Sequence, residues 1–243
     1  MIASLQHWWS MAGVDLDYAQ EPRSLSEETS LPTPAASVSQ PVSHSEVHEN
    51  KTAYLGKQDF PVEVGDFLNW LRNPENLIES NWAREFVLPD GPIAPEFMIV
   101  TAMPEGKSSK LTGQFSPKSL ELVQNIMKAL GTGLDQCFQA PLALGRPIDG
   151  RIAEQYMMPL VDRTLHLISL IKPRRIILFG DTVSRGILKE DLLTARKKKQ
   201  YINHISSKTE AIVTFHPRIL LERPDLKTET WKDLQQLTRI GAQ

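Results

Sequence analysis

Apolar residues in this chain fall into short unbroken runs and helical stripes. Phe97-Met-Ile-Val-Thr101, Arg175-Ile-Ile-Leu-Phe-Gly180 and Ala211-Ile-Val-Thr-Phe215 are runs of strand length. Strands without polar alternation belong to parallel sheets covered on both faces. Between them the spacing turns helical. Phe67, Leu68, Trp70 and Leu71 form one stripe, ended at Asn73-Pro74, and Leu122, Val123, Ile126, Met127 and Leu130 form another, with Gly131 at the C-terminal cap. Further helices are predicted from Pro159 to Ile171, stopped by Lys172-Pro173, and from Thr182 to Leu188. A last one runs from Asp225 to Ile240, with Leu226, Trp231, Leu234, Leu237 and Ile240 near one face. This alternation predicts an α/β fold, a three-layer α/β/α sandwich around a central, mainly parallel sheet.

The pattern also divides the chain. Residues 21–51 are dominated by Pro, Ser, Glu, Thr and His, and Val38, Val42 and Val47 are the only β-branched aliphatics between Glu21 and Asn50. Such a stretch cannot bury enough apolar surface to offset ordering costs of about 1–2 kcal/mol per residue, and it reads as a disordered linker. Residues 1–20 carry Leu5, Trp8, Trp9, Ala12 and Leu16 at helix-like spacing. Two roles suit this short amphipathic helix: docking back on its own domain, or gripping a protein partner through Trp8-Trp9. Residues 52–243 form the predicted domain.

Composition narrows the class. Of 243 residues, 41% are hydrophobic and 23% charged, which is globular. The single cysteine, Cys137, can form no internal disulfide and no four-thiolate metal site, and it points to a reducing compartment. No run approaches the roughly 20 apolar residues of a membrane helix, and the first residues lack the basic-then-apolar layout of a secretion signal. The expectation is a cytoplasmic monomer with no membrane partner. Net charge is −2, but residues 172–239 hold 15 Lys and Arg against 8 Asp and Glu, a local +7. Arg196-Lys-Lys-Lys199 has two readings, solvated surface or phosphate contact.

In open parallel sheets, ligands collect beyond the carboxyl ends of the strands. The segments there are Thr101 to Lys110, Gly180 to Arg185 and His216 to Pro224; none is a P-loop. His216-Pro217 is the most pointed of them. A fixed backbone puts an imidazole at the crevice, where it is either structural or able to donate to an anionic leaving group.

These segments carry a resemblance. Thr101-Ala-Met-Pro-Glu105 is similar to a Gly-Glu-Ala-Pro-Gly loop, and Thr112-Gly-Gln-Phe115 to a Gly-x-Pro-Phe segment. Ile171-Lys-Pro-Arg-Arg-Ile-Ile-Leu-Phe-Gly180 follows a Lys-Pro-Lys-x-Ile-x-x-Leu-Gly pattern. Thr214-Phe-His-Pro-Arg-Ile-Leu-Leu-Glu-Arg-Pro224 and Leu226-Lys-Thr-Glu-Thr-Trp-Lys-Asp-Leu234 match a second motif and its trailing helix. Together with Trp8-Trp-Ser-Met-Ala-Gly-Val-Asp15, they resemble the uracil-DNA glycosylase superfamily, most closely its iron–sulfur family-4 branch, from about Val64 to Ile240. The resemblance implies a DNA-repair hydrolase that flips a base out of the duplex, stacks it on an aromatic, reads its edge with an amide and cleaves the N-glycosidic bond.

The departures fall on the chemistry. The family's loop carboxylate aligns with Ala102 and the preceding glycine with Thr101. The base-reading asparagine aligns near Ala140 or Pro141, within Gln139-Ala-Pro-Leu-Ala-Leu-Gly-Arg-Pro147. The cluster cysteines align around Leu77, Gly145 and Met157, and a fourth position ahead of Leu77 also lacks Cys, so no iron–sulfur cluster and no other cofactor or metal is expected. The retained base-binding set is Phe115, with Thr101 and Ala102 at the loop. The catalytic candidates are His216 and, as a substitute carboxylate, Glu105. Pro217, Arg218, Ile219, Leu220, Leu221 and Arg223 form the expected DNA-contacting loop, an apolar wedge flanked by cations; Leu220 and Leu221 also read as core anchors.

Three functions follow from these residues. The first is a pseudoenzyme, a uracil-DNA glycosylase-like domain that binds DNA or a nucleobase in a retained pocket. The second is an active DNA glycosylase of base excision repair using rearranged residues. The third is a protein-interaction module that does not use nucleic acid.

Overall fold

The computed structural model describes residues 59–106, 113–204 and 207–238. The expected amino-terminal helix and linker lie outside the described residues. Five strands, β1 (Phe97–Thr101), β2 (Phe138–Pro141), β3 (Arg175–Phe179), β4 (Gln200–His204) and β5 (Ser207–Thr214), form one sheet in the order β2-β1-β3-β5-β4. All pairings are parallel except β4 with β5, which is antiparallel. The helices are α1 (Val64–Arg72), α2 (Pro117–Ala129), α3 (Glu154–Ile171), α4 (Asp181–Val183), α5 (Leu192–Ala195), α6 (Pro217–Glu222) and α7 (Lys227–Thr238). No described helix is long and apolar enough to cross a membrane.

The unbroken apolar strands supply two cores at once. Met98, Val100, Ile176, Leu178, Ala211 and Val213 pack with Phe67 and Leu71 of α1 and Leu167, Ile168 and Ile171 of α3. Their alternates Phe97, Ile99, Ile177, Phe179 and Ile212 pack with Leu122, Val123, Ile126 and Met127 of α2 and Leu234 and Leu237 of α7. Successive strand side chains point to opposite faces, so where β1, β3 and β5 are covered on both faces, at 98–100, 176–179 and 211–213, they are apolar at every position. Each buried Leu or Ile contributes about 1.5–3 kcal/mol.

Local chemistry sets the ends of the helices. The Asn73 side chain ends α1 by accepting from the N–H of Glu75, opening the turn at Pro74. Gly131 adopts φ +87° just beyond α2, and Lys172 takes a left-handed φ of 54° after α3. Helix α3 begins at Glu154, ahead of the predicted Pro159, which lies inside the helix near its amino end. The segment predicted as a helix from Thr182 is one α-turn continued as a π-turn, Ser184–Leu188.

Two strands lie outside the apolar-run pattern. β2 has only four residues, and β4 alternates buried Gln200 and Ile202 with exposed Tyr201 and Asn203. Both are edge strands. A further pin is buried among the loops: Arg163 of α3 forks onto Glu79, with Nη1 to Oε2 at 2.9 Å and Nη2 to Oε1 at 2.5 Å. Glu79 Oε1 also accepts the N–H of Leu144, and Arg163 Nη2 donates to the carbonyl of Leu142. This pair fastens the segment after β2 to α3.

Candidate functional site

The carboxyl ends of β1, β3 and β5 open onto a cavity of about 440 Å³. β1 delivers Ala102, Met103 and Glu105 to it, β3 delivers Gly180 and Asp181, and β5 delivers His216, Arg218 and Ile219. Gly180 turns the chain out of β3 at φ +97°, a conformation that strains any residue with a Cβ.

His216 leaves β5 in extended backbone and caps α6, its Nδ1 accepting the N–H of Arg218 at 3.3 Å. Pro217 at the first helical position has no N–H to satisfy and fixes φ. Burial pushes the His216 imidazole down to about 4, and the cations Arg218 and Arg146 act in the same direction, while the Glu105 carboxylate opposes them. The ring is therefore neutral at pH 7. Because Nδ1 is an acceptor, the ring proton sits on Nε2.

Glu105 is brought to the same place. Its backbone N–H donates to the carbonyl of Gln114, and its Oε2 accepts the N–H of Ser116 at 3.1 Å, at the start of α2. Its buried Oε1 has no hydrogen-bond partner among the described residues and lies 3.6 Å from His216 Nδ1, too far for a hydrogen bond.

Neither a protein-family model nor a curated protein matches the chain.

The remaining candidates divide by burial. Phe115 is 4% exposed, does not line the cavity, and its ring centroid lies 6.5 Å from those of His216 and Phe179. In this conformation the ring is core and offers no free face for a base. Thr101 is fully buried, and its hydroxyl donates to Gln114 Oε1 at 2.6 Å. Ala102 does line the cavity, with only a methyl group. In the loop after β5, Pro217 and Leu220 are buried, Leu220 in the core with α2 and α7, so neither presents a surface to DNA. The α6 spacing explains this, since one side of so short a helix must face the sheet. Ile219 faces the cavity, Leu221 lines an adjoining depression with Lys118, and Arg218 and Arg223 are exposed.

Arg146 is a site residue absent from the sequence-based set. It follows β2, is half-buried, lines the cavity and donates from Nη1 to the carbonyl of Pro104 at 3.1 Å. It forms no ion pair among the described residues. Gly150 makes room for it, since a Cβ there would sit 2.8 Å from Arg146 Nη2. Its only sequence signal is membership of the segment Gln139 to Pro147.

The basic run Arg196 to Lys199 is largely engaged. Arg196 pairs with Asp233 at 2.9 Å and lies over the Phe215 ring, Lys198 pairs with Glu190, and Lys199 with Glu210. At the crevice, Arg218 pairs with Glu222 at 3.7 Å and Arg223 with Asp225 at 3.0 Å, both at the exposed surface.

Chemically, the crevice holds three guanidiniums, a neutral imidazole with an N–H to give, and one buried carboxylate fixed to a helix start. Such groups are chemically complementary to anions and polarised oxygens. The carboxylate faces the lone pair of Nδ1 with no proton between them, which is not the arrangement of a working acid–base dyad.

Proposed function

We propose that this chain is a uracil-DNA glycosylase-like domain that has become a nucleic-acid-binding module, holding a strand in the crevice without cleaving a glycosidic bond. The observation that carries the reading is the convergence of Arg146, Arg218 and Arg223 with the Nε2–H of His216 on one cavity at the strand ends, beside Ala102. Phosphate contacts by such cations supply affinity through counterion release, and Ile219 and Leu221 supply apolar contact beside them. Loss of cleavage fits Ala102 and the amide-free Ala140 and Pro141, which are buried at the end of β2. The positions that the resemblance aligns with cluster ligands are apolar or backbone-packed here. Leu77 is buried in the core, Met157 packs against Val161 and Leu142, and a Cβ on Gly145 would come within 2.5 Å of Ala83.

The test is fluorescence anisotropy of a labelled oligonucleotide across a salt series. Binding should weaken steeply with salt, and Arg146→Ala should lower the slope of log K against log salt by about 0.7–0.9. A uracil-containing oligonucleotide should stay intact after alkali treatment. Absence of binding at low salt would overturn the proposal.

A second reading, a glycosylase with Glu105 as substitute carboxylate, draws on the 3.6 Å separation of Glu105 and His216. It requires cleavage that disappears in both Glu105→Gln and His216→Ala. Cleavage by the unsubstituted protein would replace the first reading with this one.

A further inference from the structure

The most exposed large apolar side chain among the described residues stands beside the crevice. It is Ile148, 83% exposed. It occupies the tip of a tight turn: the N–H of Gly150 returns to the carbonyl of Pro147 at 3.0 Å, and the N–H of Arg151 donates to Asp149 Oδ1 at 3.1 Å. Both ends of the turn are anchored. Pro147 is buried, Ile152 packs against the core of Leu142, Leu160 and Val161, and Arg146 and Gly150 line the cavity. A braced turn therefore holds a whole isoleucine in water at the rim of the site, where it adds almost no burial to the fold.

The surroundings of Ile148 define what would cover it. It lies between Arg146 and Arg151, and neither guanidinium forms an ion pair among the described residues. Two arginines against Asp149 leave residues 146–151 at a net +1. A protein partner would call for a contiguous apolar patch, and here the flanking exposed residues are charged. A single strand calls for free aromatic faces on which bases stack, but the phenyl rings at the cavity, Phe179 and Phe215, are 0% and 9% exposed. An aliphatic point with cations on both sides suits a duplex: the apolar chain parts a base step while the cations hold the phosphates. The loop after β5, where the resemblance places such a wedge, has turned Leu220 into the core. The exposed point is on the turn after β2 instead.

We propose that Ile148 is a wedge that enters a base step of a double-stranded nucleic acid, with Arg146 and Arg151 on the phosphates beside it. The proposal rests on the reading of the crevice as a nucleic-acid site and narrows the partner to a readily deformed duplex. Pyrimidine–purine steps such as TpA are the easiest to unstack, so they are the preferred point of entry.

The test uses the full chain and a duplex with 2-aminopurine at the adenine of a central TpA step, a base that brightens when it is unstacked. Binding of the parent should raise the fluorescence, and binding of Ile148→Ala should not. That variant should bind the duplex at least about tenfold more weakly, the effect of losing a buried aliphatic side chain, with the slope of log K against log salt unchanged. Arg151→Ala should instead lower that slope by about 0.9. Ile148 is exposed, so an unchanged thermal melt is expected of its variant. No brightening with the parent, an Ile148→Ala affinity within about twofold of the parent, or equally tight binding of the single strand would each overturn the wedge. Salt-dependent binding that survives those results leaves the crevice reading intact, whereas no binding of any oligonucleotide at low salt removes both.

Discussion

Replacing Arg163 by Met tests how the crevice is held in place. Arg163 and Glu79 are both buried, the carboxylate completely, and the guanidinium supplies two of its hydrogen bonds. The variant leaves a buried carboxylate with, among the described residues, only the N–H of Leu144, at 2.7 Å, to stabilise it. Removing one member of a buried pair costs about 3–5 kcal/mol, because the survivor's desolvation is no longer offset. That is a large share of a typical domain's 5–15 kcal/mol. The double variant Glu79→Leu with Arg163→Met removes both charges and loses only the bonds to Leu144 N–H and Leu142 C=O, about 1–3 kcal/mol each. Its total cost, about 2–6 kcal/mol, should therefore be comparable to that of Arg163→Met alone and well below the sum of the two single losses, about 6–10 kcal/mol. Urea denaturation followed by tryptophan fluorescence measures all four proteins. A loss below about 1 kcal/mol for Arg163→Met would refute the reasoning, as would additivity of the two singles. Because Leu142 and Leu144 lead directly into Arg146, the same variant should also weaken oligonucleotide binding.

Acid sensitivity follows from His216. Its folded-state value of about 4 lies below the ordinary 6.5, so the unfolded chain binds more protons between those pH values. Its contribution to stability is present above pH 6.5 and is lost as pH falls towards 4, by at most about 3 kcal/mol. His216→Gln should lose less stability than the unsubstituted protein between pH 7.5 and 4.5, and identical losses in urea titrations would contradict this. Gly91→Ala should cost about 3 kcal/mol: φ is +139°, and a Cβ would stand 2.6 Å from the backbone of Cys137 and Phe138. A melting temperature within a degree or two of the parent would show that the 86–91 segment is not pressed against β2.

The strands β1, β3 and β5 were legible because their stretches covered on both faces are apolar without a break, although β5 begins at Ser207, ahead of the predicted Ala211, where its polar residues pair with β4. β4 was not, since Gln-Tyr-Ile-Asn-His needs an apolar residue only where it faces inward. β2 is a four-residue strand ending in Pro141, and its pairing with β1 is set by tertiary contacts rather than by its own composition. The helix ends were better defined than their starts. Asn73-Pro74 and Lys172-Pro173 stop helices through backbone sterics that any reader of the sequence can apply. The start of α3 rests on packing of Leu160 and Val161 against Leu142 and Met103, which no local pattern reports.

At the site, the residues named for chemistry came together more reliably than those named for recognition. Glu105 and His216 meet because each follows a parallel strand, and the carboxyl ends of such strands share one edge whatever the loops contain. Phe115, Thr101 and Leu220 stand at positions whose expected role depends on side-chain direction, and direction is decided by the core. Phe115 is needed against Phe179 and Leu220 against α2, so the rings and methyls that a base or duplex would meet are already used in folding. Arg146, which no motif marks, remains free of any carboxylate among the described residues. A crevice that has spent Phe115 and Leu220 on packing, while Arg146 has no acidic partner among the described residues and Arg218 and Arg223 stay exposed beside it in surface pairs with Glu222 and Asp225, is suited to a charged backbone more than to a buried base. For that reason the decisive quantity is the salt dependence of binding rather than the rate of any cleavage.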